Sequence, residues 1–256
     1  MKIGLALSGG GALGAAHIGV MTQLENNNIN IDSICGCSAG AIVGLLYSWE
    51  GIESLNKFFA GVNEHSIFSP SNILLYRSPD KLFSHIEDVL RDIIPTDDFS
   101  KLNTRYSCVA TDFMTGNAKI FTSGDPIKCA LASSAYPGVF PIQIIDDKYY
   151  IDGAASLNMP VSPLRKQGMD FIIASSTYTL SKFDPNKIKA RRLQTAIRAL
   201  EIMECKINQL ELSNADFVFK PPVSQYYWYN FSDMQLIREI GETYALDHIK
   251  SFPQAF

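Results

Sequence analysis

The sequence predicts an α/β fold with a mainly parallel central sheet. Short apolar stretches alternate with helical patterns from the first residues onward, in the order strand, helix, strand, helix. This order favours a parallel sheet whose faces are covered by helices. The first two predicted strands both run directly into glycine-rich turns, which brings the two turns together in one crevice at the end of the sheet.

The elements of the first half follow from the spacing of apolar residues. Residues 2–7 are typical of a buried strand, and residues 15–25 carry apolar side chains at helical spacing. A second short strand is predicted at 31–35. Three helices follow, at 39–47, 52–62 and 80–94.

The second half continues the alternation, although its elements are shorter. Residues 106–111 and 118–122 flank a turn, which indicates two strands joined as a hairpin. The remaining predicted strands lie at 149–151, 171–175 and 217–219, and the remaining helices at 127–134, 193–212 and 232–249. With 256 residues and no repeat or low-complexity linker, the chain suits a single domain over residues 1–256.

Composition excludes several classes of function. The net charge of −4 argues against a broad nucleic-acid surface, and no apolar run is long enough to span a membrane. The amino terminus lacks the pattern of a secretory signal. The five cysteines form no CxxC pair and no Cys/His metal spacing, which predicts free thiols, a cytoplasmic protein and no metal or cofactor.

The glycine-rich stretch SGGGALG at 8–14 has three interpretations. Gly9, Gly11 and Gly14 fit the GxGxxG dinucleotide pattern, but the acidic residue expected at the end of the second strand is absent. Glycines can also turn their backbone N–H groups towards one point and hold an oxyanion. A tight turn without a ligand is the third interpretation, and the stretch alone does not choose among them.

The stretch GCSAG at 36–40 indicates a nucleophile elbow. It follows a predicted strand and precedes a helix, so Ser38 would stand exposed at the end of the sheet and at a helix N-terminus. Cys37 precedes the tip of the turn, and we expect it to be packed in the interior.

Two residues are candidates for the base that Ser38 needs. His248 would complete a Ser-Asp-His triad, although its helical setting favours a surface position. Asp152, in YYIDGAASLNMP, follows a strand and could project into a crevice or merely form an Asp-Gly turn. Burial would make an aspartate more basic, so a dyad should lose rate as pH falls through the aspartate pKa and a triad through a histidine pKa of about 6–7.

The ordered motifs SGGGALG, GCSAG and DGA resemble the patatin-like phospholipases, a family of Ser-Asp dyad lipid acyl hydrolases. Further likeness lies in VATDFMTGNAKIFTSGD, ASSAYPGVFP and NADFVFKPPV, and it is weakest at residues 52–100. The resemblance implies a three-layer α/β/α sandwich, Ser38 as nucleophile and Asp152 as base. It further implies an oxyanion hole at Gly9, Gly10 and Gly11, no metal, and a lipid or fatty-acyl ester as substrate.

Two features qualify this expectation. The family often has arginine where this chain has Leu13, which affects recognition of anionic headgroups more than the acyl chemistry. Aromatic residues at 225–231 and the basic run at 187–192 suit peripheral contact with a membrane, or else a core edge and a solvated helix start. A triad esterase of the α/β-hydrolase type and a non-hydrolytic dinucleotide-binding module stay open as alternatives.

Overall fold

A computed structural model of the chain describes residues 1–64, 79–178, 180 and 192–253. The strands of these residues are β1 (Ile3–Leu7), β2 (Ser33–Cys37), β3 (Arg105–Asp112), β4 (Ala118–Phe121), β5 (Gln143–Ile145), β6 (Lys148–Asp152), β7 (Phe171–Ser175) and β8 (Phe217–Phe219). The helices are α1 (Ala15–Asn26), α2 (Ala39–Glu50), α3 (Ile52–Glu64), α4 (Pro79–Ile93), α5 (Pro126–Ser133), α6 (Ala154–Leu157), α7 (Val161–Lys166), α8 (Arg192–Leu212) and α9 (Met234–His248).

The strands of the described residues form one sheet in the order β5-β6-β3-β2-β1-β7-β8, with β4 also paired to β3. Strands β3, β2, β1, β7 and β8 are parallel to one another, and β4, β5 and β6 extend the sheet in the antiparallel sense. The prediction of a mainly parallel sheet is therefore confirmed, as is the hairpin between β3 and β4. The assignment of residues 1–256 to a single domain stays a prediction.

Both faces of the sheet are buried under helices. Along β1, Leu5 and Leu7 belong to the larger apolar cluster, whereas Ala6 belongs to a smaller one on the opposite face. Helices α1 to α5 and α9 contribute to the larger cluster, and α7 contributes to the smaller one. Because neither face of the sheet meets water, the sequences of the parallel strands are largely continuous apolar runs. This arrangement confirms the α/β/α layering.

The structure differs from the sequence prediction at two places that matter for the site. Strand β2 begins two residues later than predicted and runs through Cys37, so the turn after it is sharper. Helix α7 was not predicted because it contains Pro163. That proline lies in the first turn, where its missing N–H group is not needed by the helix.

Candidate active site

Ser38 stands alone between β2 and α2, at the tip of the turn. Its backbone has φ 52° and ψ −123°, a left-handed conformation that non-glycine residues rarely adopt and that costs on the order of 1–3 kcal/mol. The backbone N–H of Ser38 donates to Ser133 Oγ over 2.8 Å, which fixes the turn against α5. The strained conformation holds the side chain out from both neighbouring elements, as an elbow requires.

The glycines on either side of the elbow are required by close backbone approach. A β-carbon on Gly36 would collide with the carbonyl group of Gly40. A β-carbon on Gly40 would lie 2.5 Å from the carbonyl oxygens of Leu7 and Ser8, at the end of β1. A β-carbon does not approach non-bonded atoms this closely, so Gly36 is required by its packing against Gly40, and Gly40 by its packing against the end of β1.

Asp152 meets Ser38 from the antiparallel side of the sheet. It is the last residue of β6, where it pairs with Ala110 of β3, and its side chain is fully buried. Ser38 Oγ donates a hydrogen bond of 2.7 Å to Asp152 Oδ2. The other carboxylate oxygen, Oδ1, accepts from the N–H of Ala154 over 2.8 Å, which orients the carboxylate. The structure thus brings together the two residues that the sequence motifs predicted.

The environment of Asp152 makes this carboxylate a stronger base than aspartate in water. Burial raises the pKa of Asp152 to about 7, although the hydrogen bonds from Ala154 and Ser38 oppose that rise. The nearby Glu204 carboxylate raises this pKa further by charge repulsion. Near neutral pH, Asp152 is therefore ionised in a large fraction of molecules and can still accept a proton readily.

The glycine loop lies on the neighbouring strand end, beside the elbow. The N–H of Gly9 donates to Asn158 Oδ1 over 2.7 Å, so this donor is already occupied. The N–H groups of Gly10 and Gly11 have no acceptor within the described part of the chain. A short 3-10 turn over Gly11–Gly14 follows, and the N–H of Ala12 donates to the carbonyl of Trp228 over 2.7 Å. Gly10 and Gly11 line the same cavity as Ser38, so the loop contributes two backbone donors without an acceptor among the described residues to this region.

Ser38 and the three glycines of this loop line one cavity. Most of its wall is apolar and comes from α2, α4, the stretch after α5, and the stretch before α9. These apolar residues include Ile42, Phe83, Ile86, Val139, Phe140 and Phe231. No lysine or arginine occurs among the described residues that line it. The cavity can hold a hydrocarbon chain next to the Ser38 hydroxyl.

One part of the cavity wall is polar and acidic. Glu204 of α8 is 3% exposed and accepts a hydrogen bond from the Tyr178 hydroxyl. Burial raises the pKa of Glu204, and the tyrosine hydrogen bond opposes that rise. Glu201 accepts from Trp228 Nε1 over 3.0 Å and from Arg198 over 2.8 Å. Sequence reasoning missed this cluster, since acidic residues on a helix give no sign of which ones face a cavity.

His248, the other candidate base, lies outside the cavity wall. It is exposed near the end of α9, where its Nδ1 bonds to the carbonyl of Tyr244 over 2.7 Å and its ring stacks on that tyrosine at 3.8 Å. Cys37 is fully buried, as expected, and burial raises its pKa, which disfavours the reactive thiolate.

The two features that qualified the resemblance, Leu13 and the aromatic stretch, lie close together, because Ala12 bonds to the carbonyl of Trp228. Leu13 is 5% exposed and packs in the larger apolar cluster, so an arginine there would be buried. In the aromatic stretch at 225–231, Tyr226 and Trp228 pack against the core, whereas Tyr227 and Tyr229 are exposed. Residues 187–191 of the basic run lie outside the described residues.

Comparison with known proteins places this geometry in a family. The family model described as patatin-like phospholipase matches residues 5–165, which include the glycine loop, Ser38 and Asp152. An uncharacterized NTE family protein of Mycobacterium tuberculosis is 30% identical over 176 residues, covering 68% of this chain and 49% of the relative. Lysophospholipase NTE1 of Pyricularia oryzae is 25% identical over 282 residues, covering 97% of this chain and 18% of that protein. The chain spans about half the length of the first of these relatives.

Solved structures show the same fold at low sequence identity. VipD from Legionella pneumophila has a TM-score of 0.51 and 14% identity, with 98% of this chain and 67% of that chain covered. Human GIVD cytosolic phospholipase A2, solved in complex with methyl gamma-linolenyl fluorophosphonate, has a TM-score of 0.51 and 11% identity, with 98% and 57% covered. The match of the family model to most of the chain establishes that this protein belongs to the patatin-like phospholipase family.

Proposed function

We propose that this protein is a serine acyl hydrolase that cleaves lipid or fatty-acyl esters through a dyad of Ser38 and Asp152. The observation that carries the proposal is the hydrogen bond of 2.7 Å between Ser38 Oγ and Asp152 Oδ2 beside an apolar cavity. Relatives that are named lysophospholipases, such as that of Pyricularia oryzae, support the choice of substrate class.

In the first half of the reaction, Ser38 Oγ attacks the ester carbonyl carbon while Asp152 takes the hydroxyl proton. The π electron pair of the carbonyl moves to its oxygen, which becomes an oxyanion held by the N–H groups of Gly10 and Gly11. The tetrahedral intermediate collapses, the bond to the leaving alcohol breaks, and that alcohol takes the proton from Asp152. An acyl group then remains on Ser38.

In the second half, water replaces the alcohol. Asp152 accepts a proton from the water while the water oxygen bonds to the acyl carbon. Collapse of this second intermediate frees the fatty acid and returns the proton to Ser38 Oγ. The dyad therefore needs no histidine, because the raised pKa of Asp152 lets one carboxylate serve as base and then as acid in both halves.

Peripheral contact with a lipid surface is part of the proposal. Tyr229 lines the cavity and is 49% exposed, and Tyr227 stacks on it at 5.2 Å with 40% exposure. Tyrosine suits the boundary between water and lipid because its ring is apolar and its hydroxyl is polar. No helix among the described residues is long and apolar enough to cross a bilayer.

A fluorophosphonate with a long alkyl chain tests the proposal directly. We expect one covalent adduct, found by intact-mass spectrometry and located on the peptide that contains Ser38. A series of p-nitrophenyl esters should show kcat/KM rising with chain length, because each methylene that enters an apolar cavity contributes about 0.8 kcal/mol. An unlabelled Ser38 peptide in folded protein would count against the enzyme and favour a binding module.

A further inference from the structure

Asn158 lies between α6 and α7, on the wall of the Ser38 cavity, and its side chain is fully buried. Its Oδ1 accepts the hydrogen bond of 2.7 Å from the N–H of Gly9. Because a backbone N–H can only donate, this contact settles which end of the amide is oxygen. Nδ2 therefore points away from Gly9.

The Nδ2 group carries two N–H donors and has no hydrogen-bond partner among the described residues. Leaving a buried donor unpaired costs on the order of 1–3 kcal/mol, and such groups in native proteins call for an explanation. A requirement to hold Gly9 explains the oxygen of this side chain. It does not explain why the other atom is a nitrogen, because an aspartate would also accept from Gly9.

The position of the amide suggests the missing acceptor. A β-carbon on Gly9 would lie 2.5 Å from Asn158 Oδ1 and 3.0 Å from Ser38 Cβ. The amide and the Ser38 side chain therefore both lie beside Gly9 of the glycine loop. An acceptor that is absent at rest and present during reaction is the ester carbonyl oxygen, which gains charge as Ser38 attacks.

We propose that Asn158 Nδ2 is a donor of the oxyanion hole, beside the N–H groups of Gly10 and Gly11; this inference rests on the proposed function. During attack, the carbonyl electron pair moves to oxygen, and Nδ2 donates a hydrogen bond to that oxygen without giving up its proton. The same side chain holds the loop through Oδ1, so one residue sets the position of two kinds of donor. All of these donors are neutral, and Leu13 adds no charge beside them.

The substitution Asn158→Asp removes the N–H donor and keeps an acceptor for Gly9. Because an ionised aspartate would also repel the oxyanion, a loss of activity counts for the donor only together with the Nδ2 contact in the adduct structure described below. Loss of one oxyanion donor reduces kcat by about 10²–10³-fold. We expect that loss at the alkaline plateau of the pH profile, where Asp152 is ionised, with KM changed by no more than about threefold.

Asn208 provides a matched control. It is 2% exposed, its amide also lacks a partner among the described residues, and it does not line the cavity. Asn208→Asp makes the same chemical change at a buried site, so it should alter Tm and leave kcat within about twofold. A plateau kcat for Asn158→Asp within about threefold of wild type would overturn the inference.

A crystal structure of the wild-type alkylphosphonate adduct tests the contact without any substitution, so the inference is testable even if Asn158→Asp fails to fold. The phosphonyl oxygen stands in for the oxyanion, and we expect Asn158 Nδ2 within about 3.2 Å of it. A separation above about 4 Å would overturn the proposal. Failure of the proposed function itself would appear as wild type that is not labelled, whereas failure of this inference leaves labelling intact.

Discussion

Asp152 and His17 are both fully buried titratable residues, yet only Asp152 bonds to a side chain that lines the Ser38 cavity. Burial lowers the pKa of His17 to about 4 and raises that of Asp152 to about 7, so in each case it favours the neutral form. His17 is enclosed by its partners, with Nδ1 bonded to Ser175 Oγ at 2.8 Å and Nε2 to the Ser8 carbonyl at 2.9 Å.

The partner of Asp152 is different, because Ser38 Oγ opens onto the cavity. A shifted pKa therefore does not by itself identify a catalytic group. His17 joins the end of β1, through Ser8, to the end of β7, through Ser175, and thereby supports the strand end from which the glycine loop leaves. Catalytic competence depends on whether the bonded partner can reach a reactant.

The largest expected effect is that of Ser38→Ala. Loss of the nucleophile should reduce kcat/KM for p-nitrophenyl esters by at least about 10³-fold, because the dyad acts as a unit. The fold should persist, since the serine side chain contributes little packing, and Tm by circular dichroism checks this. Ester hydrolysis near the wild-type rate would show that Ser38 is only a turn residue.

Asp152→Asn should reduce kcat/KM almost as far, by about 10²–10³-fold, because asparagine can still hold Ser38 but cannot accept its proton. His248→Ala is the control, and it should retain most activity because the exposed imidazole bonds only to its own helix. The reverse pattern, with His248→Ala inactive and Asp152→Asn active, would make the dyad wrong and support a triad.

The pH dependence of wild-type kcat/KM should show a rise with a midpoint near pH 7, since Asp152 must be ionised to act as base. Below that midpoint the rate should fall about tenfold per pH unit. This range overlaps the histidine range of about 6–7, so the midpoint alone does not distinguish dyad from triad. The profile of His248→Ala does so, since a dyad requires an unchanged midpoint.

Stability should depend on pH with opposite signs at the two buried groups. The folded-state pKa of His17 is below the ordinary histidine value of 6.5, so its contribution to stability is lost as pH falls from about 6.5 towards 4. The folded-state pKa of Asp152 is above the ordinary aspartate value of 3.8, so the folded state binds more protons between 3.8 and about 7 and gains stability as pH falls through that range.

Asp152→Asn removes the pH dependence of stability that Asp152 contributes. We expect it to be more stable than wild type above pH 7, by up to about 4 kcal/mol, with the advantage shrinking as pH falls towards 4. Urea unfolding at several pH values measures the difference in free energy between the two proteins, in which the other titrating groups cancel. A difference in free energy of unfolding that does not change with pH would show that burial does not destabilise the charged form of Asp152.

His17→Ala should affect catalysis much less than Asp152→Asn, although both residues are buried. The change leaves Ser175 Oγ and the Ser8 carbonyl without their partner, which should lower the free energy of unfolding by about 1–3 kcal/mol. Activity per folded molecule should fall only a few-fold, since His17 touches no reactant. A loss comparable to that of Asp152→Asn would remove the distinction between the two groups.

Local patterns predicted most of the fold and the sharp turn that carries Ser38. The alternation of apolar runs with helical spacing predicted the parallel core. The turn at Ser38 was predicted from its neighbours alone, because a sharp turn requires glycines close to its tip. Asp152 was one of two candidate bases until the family resemblance singled it out. Its distance from Ser38 along the chain, 114 residues, explains why no local signal could.

The remaining features depend on contacts that sequence patterns do not encode. Asn158 bonds to Gly9 across 149 residues, and nothing beside it in the sequence marks its amide as a partner of the glycine loop. His17 lies on the buried face of α1, and the sequence does not distinguish it from any other polar residue on an apolar helix face. Strand β2 continues to Cys37, and Gly36 then packs against Gly40 of α2, a contact that forms only when the turn has closed.

Because β6 must pair with β3 before Asp152 reaches Ser38, recovery of ester hydrolysis can report on one step of refolding. Asp152 reaches Ser38 only when Ala110 stands opposite it, and a slip of two residues would displace the carboxylate by roughly 7 Å along the strand. This pairing is non-local, and non-local pairings form more slowly than helices. Recovery of ester hydrolysis after dilution from denaturant should therefore trail recovery of helical circular dichroism, and the lag between the two signals would time the closure of the antiparallel edge.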